Sequence, residues 1–201
     1  MNLRHLLLAA LPAALVACGG SPTLEIQPAA ATTTTTTARP AEPAQSAPAT
    51  RCDAGRWTGA IDPEGRPDGL DAGDAGAVYV WHDADGWHIR TTDQRPVDHH
   101  YTGTILLQPT VANFADIRTV RDERDDHVTV DGSNVLHYDF HTFASIDGVD
   151  FHVTCPTGKR DGRERLAFHT EFDGHPIADR VRIGDRKQSP KTADFAFTRT
   201  V

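Results

Sequence analysis

The chain lacks a helical stripe. After Arg51, no window of about ten residues repeats its apolar positions with the period near 3.6 that an amphipathic helix needs. Positive charge is also in short supply. The 20 Lys and Arg are outnumbered by 28 Asp and Glu, for a net charge of −8. That balance argues against a nucleic-acid binder and against attraction to an anionic membrane. Catalytic signatures are missing as well. There is no G-x-S-x-G elbow, no P-loop, no G-x-G-x-x-G and no H-E-x-x-H. Ser133, Ser145 and Ser189 stand in turn-like or hairpin contexts, and nothing selects a pair among the many carboxylates. The expectation is therefore a protein that is not an enzyme and carries no obligatory cofactor.

What is present begins at the amino end. Arg4 and His5 precede an apolar run from Leu6 to Ala17, broken only by Pro12, and Leu15-Val16-Ala17-Cys18 closes it. About twelve helical residues span only about 18 Å, against about 30 Å of hydrocarbon, so this is a signal-peptide core rather than a membrane span. A cysteine at the cut, behind small residues, makes a lipobox. The segment resembles bacterial lipoprotein precursors. The resemblance covers only about the first twenty residues, and it implies removal of residues 1–17, a diacylglyceryl group on Cys18 and acylation of its new amine. It further implies an exported protein anchored to the cell membrane by lipid, with palmitate-type chains. Gly19, rather than Asp, after the cysteine is compatible with the outer membrane in a Gram-negative cell.

Residues 18–50 are then the lipidated cysteine and a linker. Ala, Pro, Thr, Ser and Gly dominate it, with an unbroken threonine run at 32–37 and no aromatic residue. Such a segment cannot bury enough apolar area to offset the entropy of ordering, so disorder is expected. Its reach is roughly 30 Å as a coil and about 100 Å if extended. Residues 51–201 remain for one domain with its own core. Of the 3 cysteines, Cys52 and Cys155 are left after lipidation. In an exported protein a disulfide between them is the simplest outcome; free or metal-bound thiols are the alternative.

The domain reads as strands. Residues 77–81, 87–90, 101–107, 114–120, 127–130, 135–146, 149–155, 166–172, 181–183 and 195–198 are short, β-branched or aromatic, and often alternating. Asp and Gly punctuate them at Asp83–Gly86, Asp131-Gly132, Asp147-Gly148 and Asp173-Gly174. The expected fold is all-β: a single antiparallel β-sandwich or jelly roll. Asp147-Gly148 is expected to be a two-residue hairpin turn, placing His141 opposite Thr154 and leaving Phe140, Phe151 and Val153 on a core face.

Three constellations follow from that pattern. On alternating strands His137, Asp139 and His141 share a face, and the expected hairpin adds His152 from the return strand. Imidazoles with a carboxylate can hold zinc or another divalent metal. In the 77–90 hairpin, Val78, Val80, Trp87 and Ile89 form one face, while Tyr79, Trp81, His88 and Arg90 form the other. An outward Tyr79/Trp81 pair could stack on sugar rings while Arg90 bonds hydroxyls. Third, residues 62–76 are rich in Asp and Gly but lack the EF-hand pattern, which favours a solvated loop.

The sequence as a whole points to a lipid-anchored envelope protein carrying a non-catalytic binding or interaction module. Its partner would be an envelope polysaccharide or another envelope protein; a metal-binding protein using the His/Asp face is the alternative. The anchor is directly testable. Replacing Cys18 by Ala should abolish acylation and move the protein from membrane to soluble fraction, as intact mass and fractionation would report, because two or three acyl chains bury tens of CH₂ groups at about 0.8 kcal/mol each.

Overall fold

The computed structural model describes residues 50–53, 55–70, 76–95, 97–109, 111–120, 125–142, 145–155 and 163–200. The expected signal peptide, Cys18 and nearly all of the expected linker lie outside the described residues. What is described is a two-layer β-sandwich, as the alternation of apolar residues required. Its thirteen strands run in chain order as β1 (Thr50–Arg51), β2 (Arg56–Gly59), β3 (Ala77–Asp83), β4 (Gly86–Asp93), β5 (His99–Gln108), β6 (Asn113–Val120) and β7 (His127–Asp131). They continue as β8 (Val135–Thr142), β9 (Ser145–Cys155), β10 (Arg165–Phe172), β11 (His175–Pro176), β12 (Val181–Ile183) and β13 (Asp194–Thr200).

One sheet contains β1, β3, β4, β6, β9 and β12; the other runs β2-β13-β10-β5-β8-β7, with β11 folded back on β10. β9 is the centre of the first sheet. β4 pairs with its Ser145–Phe151 portion and β1 with its end, while β6 covers the opposite edge. Pairing is antiparallel except between β3 and β12, which run parallel, so the purely antiparallel expectation is corrected at that edge.

The core is the alternate residues of both sheets. Val78, Val80, Trp87, Ile89, Val149, Phe151 and Val153 point in from one layer, and Ile105, Leu136, Phe140, Leu166, Phe168 and Phe197 from the other; all are buried. Trp87 sits where the layers meet. Its ring lies 5.2 Å from Trp57, 5.2 Å from Phe197 and 5.8 Å from Phe168, all on the opposite sheet, and 6.4 Å from Phe151 on its own. Edge and tilted aromatic contacts of this kind add to the area that they bury.

The expected disulfide is present. Cys52 and Cys155 are bridged across a sequence separation of 103, with their Cα atoms 5.6 Å apart. Cys52 also donates its N–H to the carbonyl of Val153 at 2.9 Å. The bridge ties the start of the domain to the end of its central strand, and it removes the reading of free or metal-bound thiols.

Three of the four Asp/Gly turns form as expected. Asp83 and Gly86 pair across the two residues between them, and Phe172 pairs with His175 across Asp173-Gly174, where both φ angles are positive at 48° and 73°. Gly132 likewise turns the chain between β7 and β8. The fourth is corrected: Asp147-Gly148 is not a turn. Both residues lie inside β9, with Asp147 opposite Thr91 and Gly148 opposite Arg90. β8 and β9 are not a hairpin at all, because they belong to different sheets. Gly148 is needed for another reason: a Cβ there would collide with the carbonyl oxygen of Ile89 and meet Arg90 Cδ at 2.8 Å. The apolar assignment survives the error. Phe140, Phe151 and Val153 are all buried, but they face one another across the sandwich rather than along one hairpin.

Gly148 and Gly174 make opposite tests. Gly148→Ala should cost about 1–3 kcal/mol through crowding, whereas Gly174, at positive φ with nothing near its absent Cβ, should cost only about 1 kcal/mol through backbone strain. Urea unfolding of the two variants checks the order; a hairpin turn at residues 147–148 would not need it. Removing the Cys52–Cys155 bridge should lower stability by up to about 4–5 kcal/mol on the chain-entropy model, measured as the difference between oxidised protein and the Cys52→Ala/Cys155→Ala variant.

Candidate functional site

The first expected surface, Tyr79 and Trp81 with His88 and Arg90, does occupy the outer side of β3 and β4, but it is not exposed. Tyr79 is 0% and Trp81 2% accessible, and the two pack with Ala77 and with Leu70 from the segment after β2. A sugar ring cannot stack on them, so the exposed-platform reading is corrected. The period-2 pattern identified the face but could not reveal that Leu70, from the segment leading into β3, packs over it.

What forms there is a closed ionic network. His88 lies against Trp81 with ring centroids 4.7 Å apart and 17° between planes, and Arg90 sits 5.3 Å from the Trp81 ring centre. The imidazole of His88 bonds Asp150 through Nδ1 at 2.7 Å and Asp83 through Nε2 at 3.0 Å, and Arg90 reaches Asp150 at 2.7 Å. Arg90 crosses over Gly148 and, with the nearer carbonyl oxygen of Ile89, leaves that position no room for a side chain. Burial works against charge on His88, but the hydrogen bonds that it donates to Asp150 and then Asp83 prevail and raise its pKa. Burial likewise opposes ionisation of Asp150, yet His88 and Arg90 hold its pKa below the ordinary value. Asp83 is lowered too, against its burial, by the N–H of Asp85 and by His88.

The histidine face is partly as expected. His137, Asp139 and His141 alternate outward on β8, on the solvent side of the seven-stranded sheet. His152 is not with them. It lies on the other layer, opposite Ala115 of β6, and bonds the buried Asp53 carboxylate through Nδ1. The four-residue cluster predicted from the false hairpin therefore does not exist. His137 and His141 are also four residues apart on one strand, about 13 Å, too far to share one ion.

Neighbouring strands supply different partners. His141 pairs directly with His100 of β5, Asp139 with Thr102 of β5 and His127 of β7, and His137 with Thr104 of β5 and Thr129 of β7. Beyond β5, His169 and Glu171 of β10 continue the rows. These histidines are not equivalent. His169 has both ring nitrogens engaged, with Asp194 at 2.8 Å and Glu171 at 3.1 Å, and those bonds raise its pKa. His137 Nδ1 meets the Thr104 hydroxyl at 3.1 Å. His100 and His141, by contrast, have their ring centroids only 3.7 Å apart. Asp98, just before β5, comes within 3.4 Å of His141 Nδ1, and Asp139 stands 3.8 Å from His100 Nδ1. The residues missed from the sequence are thus Asp98 and His100. The His99-His100 pair was visible, but its alignment with β8 was not.

A third feature is an open cleft of about 560 Å³ lined by Arg51, Asp53, Arg56, Glu64, His82 and His152. It contains two histidine–carboxylate pairs, His152 with Asp53 and His82 with Glu64 at 3.1 Å. Its arginines are spoken for, Arg51 by Asp116 at 2.7 Å and Arg56 by Asp62 at 3.0 Å. Asp62 and Glu64 therefore serve internal pairing rather than a calcium loop; residues 71–75 of that segment lie outside the described residues.

No protein-family model matches the chain, and no curated protein matches it. Among solved structures, a collagen-binding domain from a Staphylococcus aureus adhesin is similar at a TM-score of 0.33 and 10% identity, over 62% of this chain and 94% of that one. A likeness of that strength carries no argument about function.

The His88 network generates a pH prediction. A raised histidine pKa means stability that is full below the unfolded value of about 6.5 and is lost as pH rises through the folded value. The lowered Asp83 and Asp150 act oppositely: their contribution is present above the ordinary carboxylate value and is lost as pH falls through their folded values. Wild type should therefore lose stability relative to His88→Gln from about pH 6.5 upward, and Asp150→Asn should blunt the acid limb. Denaturant titrations across pH check both.

Proposed function

We propose that the chain is an exported, lipid-anchored envelope protein whose β-sandwich is a non-catalytic binding module, with the outer face of the seven-stranded sheet as its binding surface. The observation that carries this reading is the composition of that face. Five histidines, His100, His127, His137, His141 and His169, stand in cross-strand rows with Thr102, Thr104, Thr129, Asp139 and Glu171 on four adjacent strands. Shallow grooves of about 450 and 290 Å³ run over it. An extended, hydrogen-bonding surface without an enclosed pocket suits a large polar partner better than a small substrate, for which a deep, largely apolar cavity is the usual site.

With Tyr79 and Trp81 buried, recognition through sugar stacking loses its basis. The partner that fits is an envelope polymer read by hydrogen bonds and charge. The tether of residues 18–50 would let the module search a volume away from the membrane.

Co-sedimentation of the full chain with purified peptidoglycan and other insoluble envelope polysaccharides, in the presence of EDTA, tests the reading. Retention on at least one polymer is expected, falling at least tenfold in His137→Asp/His169→Asp. Retention on none, together with turnover of ester or glycoside substrates, would replace the binding module by a hydrolase.

A further inference from the structure

We propose that Asp98, His100, His141 and Asp139 form a binding site for a single divalent transition-metal ion, of the zinc type, at one corner of the outer histidine face. The inference rests on that face being open to solvent, but not on its binding any polymer.

The site is assembled by register. His100 and His141 are direct partners across β5 and β8, so their side chains leave the sheet side by side. Asp98 enters from the residues just before β5. One donor atom from each of Asp98, His100 and His141 lies within 4.8 Å of the other two. Donors on a tetrahedral zinc ion, at about 2.0–2.1 Å from the metal, stand about 3.4 Å apart. Small rotations of half-exposed side chains close that difference, and the three residues are all accessible to solvent. Asp139 is assigned the fourth position; it stands beside the three-residue cluster rather than within its 4.8 Å and would reach the ion by side-chain rotation. It lies two residues from His141 on the same face, 3.8 Å from His100 Nδ1, and its Oδ1 is buried without a hydrogen-bond partner among the described residues. A buried carboxylate oxygen without a hydrogen bond costs free energy, and a cation there would offset that cost.

The donors are poorly spent on one another. The His141–Asp98 separation of 3.4 Å is long for a hydrogen bond, and 3.8 Å between His100 and Asp139 is beyond one. Elsewhere the opposite holds. His88 and His169 have both ring nitrogens bonded to carboxylates, and His152 is committed to Asp53. Two imidazoles and two carboxylates make a set suited to zinc, copper, nickel or cobalt, and too rich in nitrogen for calcium or magnesium.

The test uses the untagged full chain, dialysed against a small excess of Zn²⁺ and then against metal-free buffer, with bound metal measured by elemental analysis. Co²⁺ loading followed by visible absorption reports the ligand field independently. Wild type should retain about one zinc per chain, and His100→Ala and His141→Ala should each reduce retention at least tenfold. Asp98→Asn should weaken it, while His137→Ala and His152→Ala should leave it unchanged. Circular dichroism identifies any variant that fails to fold, and exposed His100→Gln serves where His141→Ala does not. No zinc retained by wild type overturns the proposal, and so does retention unaffected by His100 and His141 or abolished by His137→Ala or His152→Ala. Polymer co-sedimentation in EDTA is a separate readout, so loss of metal binding and loss of the binding-module reading are distinguished.

Discussion

Trp87 is the contact on which the sandwich depends. It projects from β4 into the ring cluster of Trp57, Phe168 and Phe197 on the opposite sheet, and is wholly buried. Two sheets packed about 10 Å apart need large side chains that bridge the layers, and this one touches β2, β10 and β13 together. Once Trp87 faces inward, the pleat sends its neighbours the other way. Val78, Val80 and Ile89 follow it into the core, while Trp81, His88 and Arg90 must leave it. The inner and outer chemistry of the six-stranded sheet is thereby set by the placement of one indole.

The two outer faces then meet different fates, for reasons of coverage rather than composition. On the six-stranded sheet the outward aromatics are covered by Leu70 and its segment, and the polar residues beside them are driven to pair. His88, Asp83, Asp150 and Arg90 satisfy one another because a partly buried charge without a partner is costly. On the seven-stranded sheet nothing comparable covers the histidine rows among the described residues. There the imidazoles retain access to solvent, and those of His100 and His141 approach each other without strong internal partners. The proposed binding surface is therefore the face that no other segment covers among the described residues.

The Asp-Gly dipeptides show how far local chemistry reaches. At Asp173-Gly174 both residues take positive φ and the chain reverses, as the turn preference predicts. Asp147-Gly148 has the same composition and runs straight through the middle of β9. The difference is made by β4, whose Ile89 carbonyl and Arg90 side chain lie where a Cβ on residue 148 would stand. Glycine serves conformational freedom in one place and close approach in the other, and only the neighbouring strand tells them apart. The same misreading displaced His152, because a residue's cross-strand partners follow from the register of its sheet and β8 and β9 do not share one.

By itself, the sequence determined most of the strands, their inward and outward residues, and that Cys52 and Cys155 are the two cysteines left to pair, because alternation and cysteine count are local or countable properties of the chain; the short strands β1, β2 and β11 carry too few residues to alternate. It also carries the segment that resembles a lipobox, a resemblance that rests on a short linear stretch and no fold. The tertiary structure alone decided which strands lie together, that Leu70 covers Tyr79 and Trp81, and that His141 meets His100 and Asp98 instead of His152. Those contacts are made between segments that the tertiary fold brings together, and no periodicity along the chain encodes them.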